Sequence, residues 1–387
     1  MPDAKQKLLA ALVLQSLVPV AHATSYTVNS GLDPLVAVAS NCLPGNAGTC
    51  TLRDAIAAAG NGDVVDFLAD TTISLVSGHT LELSRDIAIS GQGHNVVIDG
   101  SHNSASALTV DVGASATIDH LLVRNVYVIN DFGGGIANRG TLTLSNSTLV
   151  DNQATYGGGI YNAGTLTITN STIADNHAPG GGAGIWNRPG SMVKLIDSTV
   201  SGNVGAWGGA IGNLSGTVYV VNSTLYGNTA FSGGGIRNWN GTVTLINSTL
   251  SGNVAEIAEC GASADVCSRY GSTTLANTIV ADGCGGNPPT DNGGNLDSGT
   301  SCGFNAASSK SNAHLELGNL GDNGGPTLTI LPGVGSAAID AGIDAICSAD
   351  PVSATDQRGM HRPEGSHCDS GAVEIGADVI FVDAFGD

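Results

Sequence analysis

The chain has 387 residues, 41% of them hydrophobic and only 12% charged, with 56 glycines and a formal net charge of −20. So little charge is unlike a helical domain, and the Val, Ile and Leu content is too high for a disordered one. The acidic balance, with a pI near 4.4 and four lysines, excludes nucleic acid and anionic membrane surfaces as expected partners.

In chain order, Lys5 and Lys7 precede an apolar run over 8–20, and Ala21-His22-Ala23 supplies a small-x-small cleavage pattern, so residues 1–23 read as an export signal. That run is too short for a membrane span, and no later stretch reaches the roughly 18 apolar residues that a spanning helix needs. Residues 24–60 form an opening segment, in which CTLRDAIAAA at 50–59 predicts the one short helix. From 61 to 302, short apolar–polar alternations broken by glycine predict strands. Five copies of one unit stand at 133–253, opening GGGIAN, GGGIYN, GAGIWN, GGAIGN and GGGIRN. Their isoleucines fall at 136, 160, 185, 211 and 236, a period of 24 to 26 residues. Each copy continues through an alternating run and Asn/Asp-Ser-Thr to a closing asparagine.

A β-rich unit of this length predicts a right-handed parallel β-helix, each coil advancing by one strand spacing of about 4.8 Å. Leu142, Leu144 and Leu149 should point inward, with the threonines mostly outside. The aligned asparagines (138, 162, 187, 213, 238; 146, 170, 222, 247; 152, 176, 203, 228, 253) should stack from coil to coil. Glycine at the repeated GGG corner suits a left-handed turn. Residues 255–274 lengthen one turn, 303–375 read as a C-terminal cap, and 376–387 form a short tail. The eight cysteines avoid the regular repeats and permit about 105 pairings. Proximity suggests Cys42–Cys50, Cys260–Cys267, Cys284–Cys302 and Cys347–Cys368, and disulfides agree with export to the medium or outer cell surface.

CTLRDAI at 50–56 resembles the Cys-Ser-Leu-Arg-Glu-Ala element of secreted bacterial β-helix proteins. The GGGI and L-x-x-N repeats are similar to those of polymorphic outer-membrane proteins. GDNGGPTLTILPGVGSAAIDAG (321–342), TDQRGMHRP (355–363) and CDSGAVE (368–374) resemble the C-terminal region called choice-of-anchor Q. The resemblance implies a bacterial β-helix exported to the surface or medium, and it implies little about chemistry.

Two catalytic-looking motifs belong to the scaffold instead. GQG at 91–93 lacks the third glycine of a dinucleotide loop. GTSCG at 299–303 matches a nucleophile elbow around Ser301 but lacks the α/β setting that elbow requires. More informative is the outer edge beside each GGGIxN strand. A chain with 4% aromatic residues gathers Tyr161, Trp186, Trp207, Arg237 and Trp239 there. Rings stack on sugar faces and guanidinium forks pair with carboxylates, so these five are the candidate glycan contacts. The expected partner is a polysaccharide or a host or cell-surface glycan, bound by a monomer that requires no cofactor. The alternative is a calcium-dependent, pectate-type polysaccharide lyase, with Arg139 or Arg188 as base and Asp151 and Asp175 holding calcium. A third reading is a purely structural surface protein.

Overall fold

The computed structural model describes residues 23–376 apart from 47, 77, 102–104, 129, 258–259 and 261–264. The export-signal residues 1–22 and the tail from 377 lie outside the described residues. What it describes is a right-handed parallel β-helix with four sides. One coil runs through Ile136–Asn138 on the first side, Thr141–Ser145 on the long side and Thr148–Val150 on the third. A short fourth side, as in Val204–Trp207, then leads to the next glycine corner. Eleven strands stack on the long side, ten on the third, nine on the first and four on the fourth.

Pairing in strict register converts the repeat into columns. Ile136, Ile160, Ile185, Ile211 and Ile236 follow one another on the first side and are wholly buried. Leu144, Ile168, Leu195, Val220 and Leu245 do the same on the long side. The third side contributes Leu149, Ile173, Val200, Leu225 and Leu250. The first glycine of the corner is left-handed, as at Gly157 (φ 65°), where an added Cβ would sit 2.3 Å from the Ile160 carbonyl oxygen.

Two of the three expected asparagine stacks form. Asn138, Asn162, Asn187 and Asn213 each donate from Nδ2 to Oδ1 of the next coil's asparagine at 2.7–2.9 Å, ending at Asn238. Asn152, Asn176, Asn203 and Asn228 do likewise at 2.9–3.1 Å, and Asn253 closes the run on the Asp265 carboxylate at 2.6 Å. The third set is different. Asn146, Asn170, Asn222 and Asn247 take left-handed backbone (φ 44–48°), and only Asn247 accepts from a stacked partner, Asn277. The following serines carry that ladder: the N–H groups of Ser147, Ser171, Ser198 and Ser223 donate to the serine Oγ one coil on at 3.1–3.4 Å. A left-handed residue turns its side chain aside, and the residue after it points inward.

The helix Leu52–Ala58 begins at Thr51, whose side chain and that of Asp54 form a capping box. It packs over the first coil, and Arg53 grips Asp33 through Nε and Nη2 at 2.7 and 3.0 Å. The β-helix itself starts earlier than residue 61, because Ser25–Val28 pairs with Asp63–Phe67 in the long sheet. All four disulfides are those that proximity suggests.

After Asp297 the chain closes the C-terminal end, where Leu315 and Ala338 pack on Ile279 and Leu296. It then folds back along the third side as a strap. Gln357 Nε2 donates to Thr199 Oγ1 (2.8 Å), and its Oε1 accepts from Thr224 Oγ1 (2.6 Å). One coil on, the Ala372 N–H donates to Thr249 Oγ1 (2.9 Å), and further still the Gly371 N–H donates to the Asn277 carbonyl (2.8 Å). Thr199, Thr224 and Thr249 are therefore buried, whereas Thr148 and Thr172, outward at the same register but beyond the strap, are half-buried.

Asn203→Leu fills the same space with an apolar side chain but removes the acceptor of the buried Asn176 N–H and Nδ2 and the side-chain donor to Asn228 Oδ1 and the Ile173 carbonyl. At about 1–3 kcal/mol for each orphaned group, the variant should lose about 3 kcal/mol in chemical denaturation. Unchanged stability would mean that packing alone aligns the coils.

Candidate functional site

The outward column of the first side reads Glu82, Thr109, Ala137, Tyr161, Trp186, Gly212, Arg237, Cys267 and Gly285 in register. Tyr161 and Trp186 stand on the predicted face, yet they are only 9% and 6% exposed. Phe132 covers Tyr161 at 4.8 Å between ring centroids, and Tyr156 covers Trp186 at 5.4 Å. The Trp186 ring lies over Gly212, where a Cβ would come within 2.4 Å of its Cε3. Small residues at the neighbouring positions let these rings lie down on the coil. They form an outer packing layer, and a ligand would reach little of them.

The other three predicted contacts come together around Arg237, two coils on from Trp186. The Arg237 guanidinium sits between Trp207 and Trp239, 4.4 and 4.6 Å from their centroids. Arg269 continues the series against Trp239 and Tyr270 at 5.7 and 5.4 Å. Trp207, Arg237, Trp239 and Arg269 are half-buried, and Tyr270 is 62% exposed. Cations over ring faces hold both in fixed orientation, so three successive coils present rings interleaved with guanidinium groups.

Arg269 and Tyr270 were not among the sequence candidates. Ser268-Arg269-Tyr270-Gly271-Ser272 is the register equivalent of Asn238-Trp239-Asn240-Gly241-Thr242. The GGGI signature that would reveal this is absent, because Asp265 and Val266 stand where the preceding coil has Gly235 and Ile236. Tyr270 also occupies a left-handed corner (φ 59°) where the two preceding coils place Ser215 (φ 54°) and Asn240 (φ 56°). Such backbone costs a residue with a Cβ about 1–2 kcal/mol. The edge-on contact of Tyr270 with Trp239, 4.9 Å between centroids, returns about 0.5–1.5 kcal/mol, the lower end suiting an exposed ring. With the Arg269 guanidinium adding about 0.5–1 kcal/mol, these contacts roughly offset the backbone cost, so folding alone gives this tyrosine little advantage over asparagine.

The proposed lyase constellation does not assemble. Arg139 and Arg188 are exposed at the corner between the first and long sides. Asp151 and Asp175 are exposed at the corner between the third and fourth, diagonally across the coil. The two aspartates are neighbours: desolvation and then the Asp151 charge raise the Asp175 pKa. Among the described residues no group of three His, Cys, Asp or Glu side chains is placed to hold a metal. Ser301 Oγ accepts the Cys284 N–H at 3.1 Å, a bond within the scaffold beside Cys284–Cys302.

No family model matches the chain, and no curated protein matches it. Among solved structures, pectate lyase Pel9A is similar at 16% identity, with 92% of this chain and 97% of that one covered and a TM-score of 0.49. Jun a 1, the major allergen from cedar pollen, is similar at 14% identity, covering 74% and 77%, with a TM-score of 0.36. Neither likeness places a residue of this chain.

Apart from the pair Asp265 and Asp282, the most perturbed carboxyl groups lie under the strap. Fully buried Arg362 holds Glu374 at 3.0 Å and donates to the carbonyls of Asp369, Gly371 and Thr355. Arg358 pairs with buried Asp356 at 2.8 Å. Four carboxyl groups (Asp197, Asp356, Asp369, Glu374) thus share two guanidinium groups. Burial, then Glu374, pushes Asp369 up to about 7, and burial, assisted by Asp356, pushes Asp197 up to about 6. Below those values, protons on these two groups relieve the charge imbalance. Because Arg358, Arg362, Asp356, Asp369 and Glu374 come from the TDQRGMHRP and CDSGAVE segments and pair among themselves over Asp197 of the coil beneath, those segments act as a structural clasp.

Between about pH 4 and about pH 7 the folded state keeps protons that the unfolded chain has released, so raising pH across that window lowers stability. Thermal unfolding should therefore occur at a lower temperature at about pH 8 than at about pH 5, and Asp369→Asn should flatten the difference. A midpoint that rises over this window would contradict the clasp. Arg362→Met, leaving buried carboxyls unpaired, should cost about 3–5 kcal/mol and expose the strap to limited proteolysis.

Proposed function

We propose that the chain is an exported β-helix that binds glycans through the Trp207–Arg237–Trp239–Arg269–Tyr270 ladder without catalysing a reaction. The observation that carries this reading is the partial exposure of rings in successive coils, held in orientation by the guanidinium groups between them. Coils rise by about 4.8 Å, so rings and guanidinium groups from successive coils form a row along the axis against which an extended polymer can lie. A rigid ladder suits binding by several weak contacts, since little ordering is lost on association. Four disulfides fit an oxidising compartment. Among the described residues, no helix is long and apolar enough to cross a membrane.

The test is retention of purified protein on acidic and neutral polysaccharides, with and without calcium, while following ultraviolet absorbance and new reducing ends. Retention without new chain ends is expected. Trp239→Ala should weaken retention about tenfold with an unchanged circular dichroism spectrum. Calcium-dependent growth in absorbance would overturn this in favour of a lyase, and silence on every polymer would leave a structural surface protein.

A further inference from the structure

We infer that Tyr270 is a dedicated binding contact: its exposed ring, held edge-on to Trp239, seats the apolar face of one pyranose ring at the C-terminal end of the ladder. The inference rests on the glycan-binding reading and adds a specific subsite to it. Three independent observations meet at this residue. Its backbone is left-handed (φ 59°), in a register position that the two preceding coils fill with Ser215 and Asn240, residues that tolerate such corners. Its ring is 62% exposed, so the strained position is not repaid by burial. The ring nonetheless has a defined place, edge-on to Trp239 with centroids 4.9 Å apart and beside the Arg269 guanidinium. Two rings at an interplanar angle of 78° make a walled corner. The Arg237 and Arg269 guanidinium groups lie over Trp239 at 4.6 and 5.7 Å, so the ring surface left for a sugar here is that of Tyr270, with the Trp239 edge as its wall. Backbone strain held at an exposed residue is a mark of function, and the chemistry displayed here is an aromatic wall for a carbohydrate ring.

Tyr270→Asn separates binding from folding, because it installs the residue type that the preceding coil carries at Asn240. Its thermal midpoint should equal or exceed that of the unaltered protein. Affinity electrophoresis in gels containing polygalacturonate, alginate, xylan or dextran should show retention weakened about five- to tenfold on the polymer that retains the unaltered protein. Tyr270→Phe keeps the ring and should be retained like the unaltered protein. If Tyr270→Asn is retained as strongly as the unaltered protein, or if its midpoint falls markedly, the tyrosine is a packing residue and this inference is wrong while the glycan-binding reading stands. If the unaltered protein is retained on no polymer, both fall together.

Discussion

Every feature of this molecule depends on the coils stacking in register, and the buried asparagine ladders enforce that register. A parallel sheet of Leu, Ile and Val tolerates slippage in its apolar contacts, but a side-chain amide inside the coil does not. Asn203 accepts from Asn176 and donates to Asn228, so each amide is satisfied only when the coils above and below present theirs at the same height. A displaced coil would leave donors and acceptors unpaired in a dry interior, where each costs more than the bond itself contributes. The serine ladder repeats this constraint at another corner. Rings and guanidinium groups can then be positioned on the outside, because each outward residue inherits its height from the amides within.

The coil architecture was legible because the period and the residue types recur together: Ile at one position, alternating apolar residues on the long side and glycine at the corner. Sequence spacing also located the four disulfides. What remained hidden has physical causes. Asn146 and Ser147 are adjacent and equally repetitive, and periodicity does not say which of them points inward; a left-handed φ at the asparagine decides it. Thr148 and Thr199 follow the same pattern, and only a strap from residues more than a hundred positions away distinguishes them.

The candidate site shows the same division. Tyr161, Trp186, Trp207, Arg237 and Trp239 do share one edge, as their register demands, but exposure depends on neighbours. Glycine at 212 lets Trp186 lie flat beneath Tyr156, whereas Arg237, one coil on, props Trp207 and Trp239 apart. Arg269 and Tyr270 escaped notice because their coil has lost the glycine signature that marks the others. Arg139, Arg188, Asp151 and Asp175 looked compatible in a linear repeat, but four sides fold them onto opposite corners.

The strap has a consequence for how such a chain can change length. In an unadorned solenoid each coil touches only its neighbours, and coils can be gained or lost one at a time. Gln357 bridges Thr199 and Thr224, and the residues around Gly371 reach Thr249 and Asn277, so four consecutive coils are measured against one continuous segment. An inserted coil among them would shift every clasp point by a strand spacing. The coils before Ser198 carry no such ruler. A coil duplicated upstream would leave the clasp in register and one duplicated downstream would not, so the shaft can lengthen while the Trp207–Tyr270 edge stays at a constant distance from the clasped end.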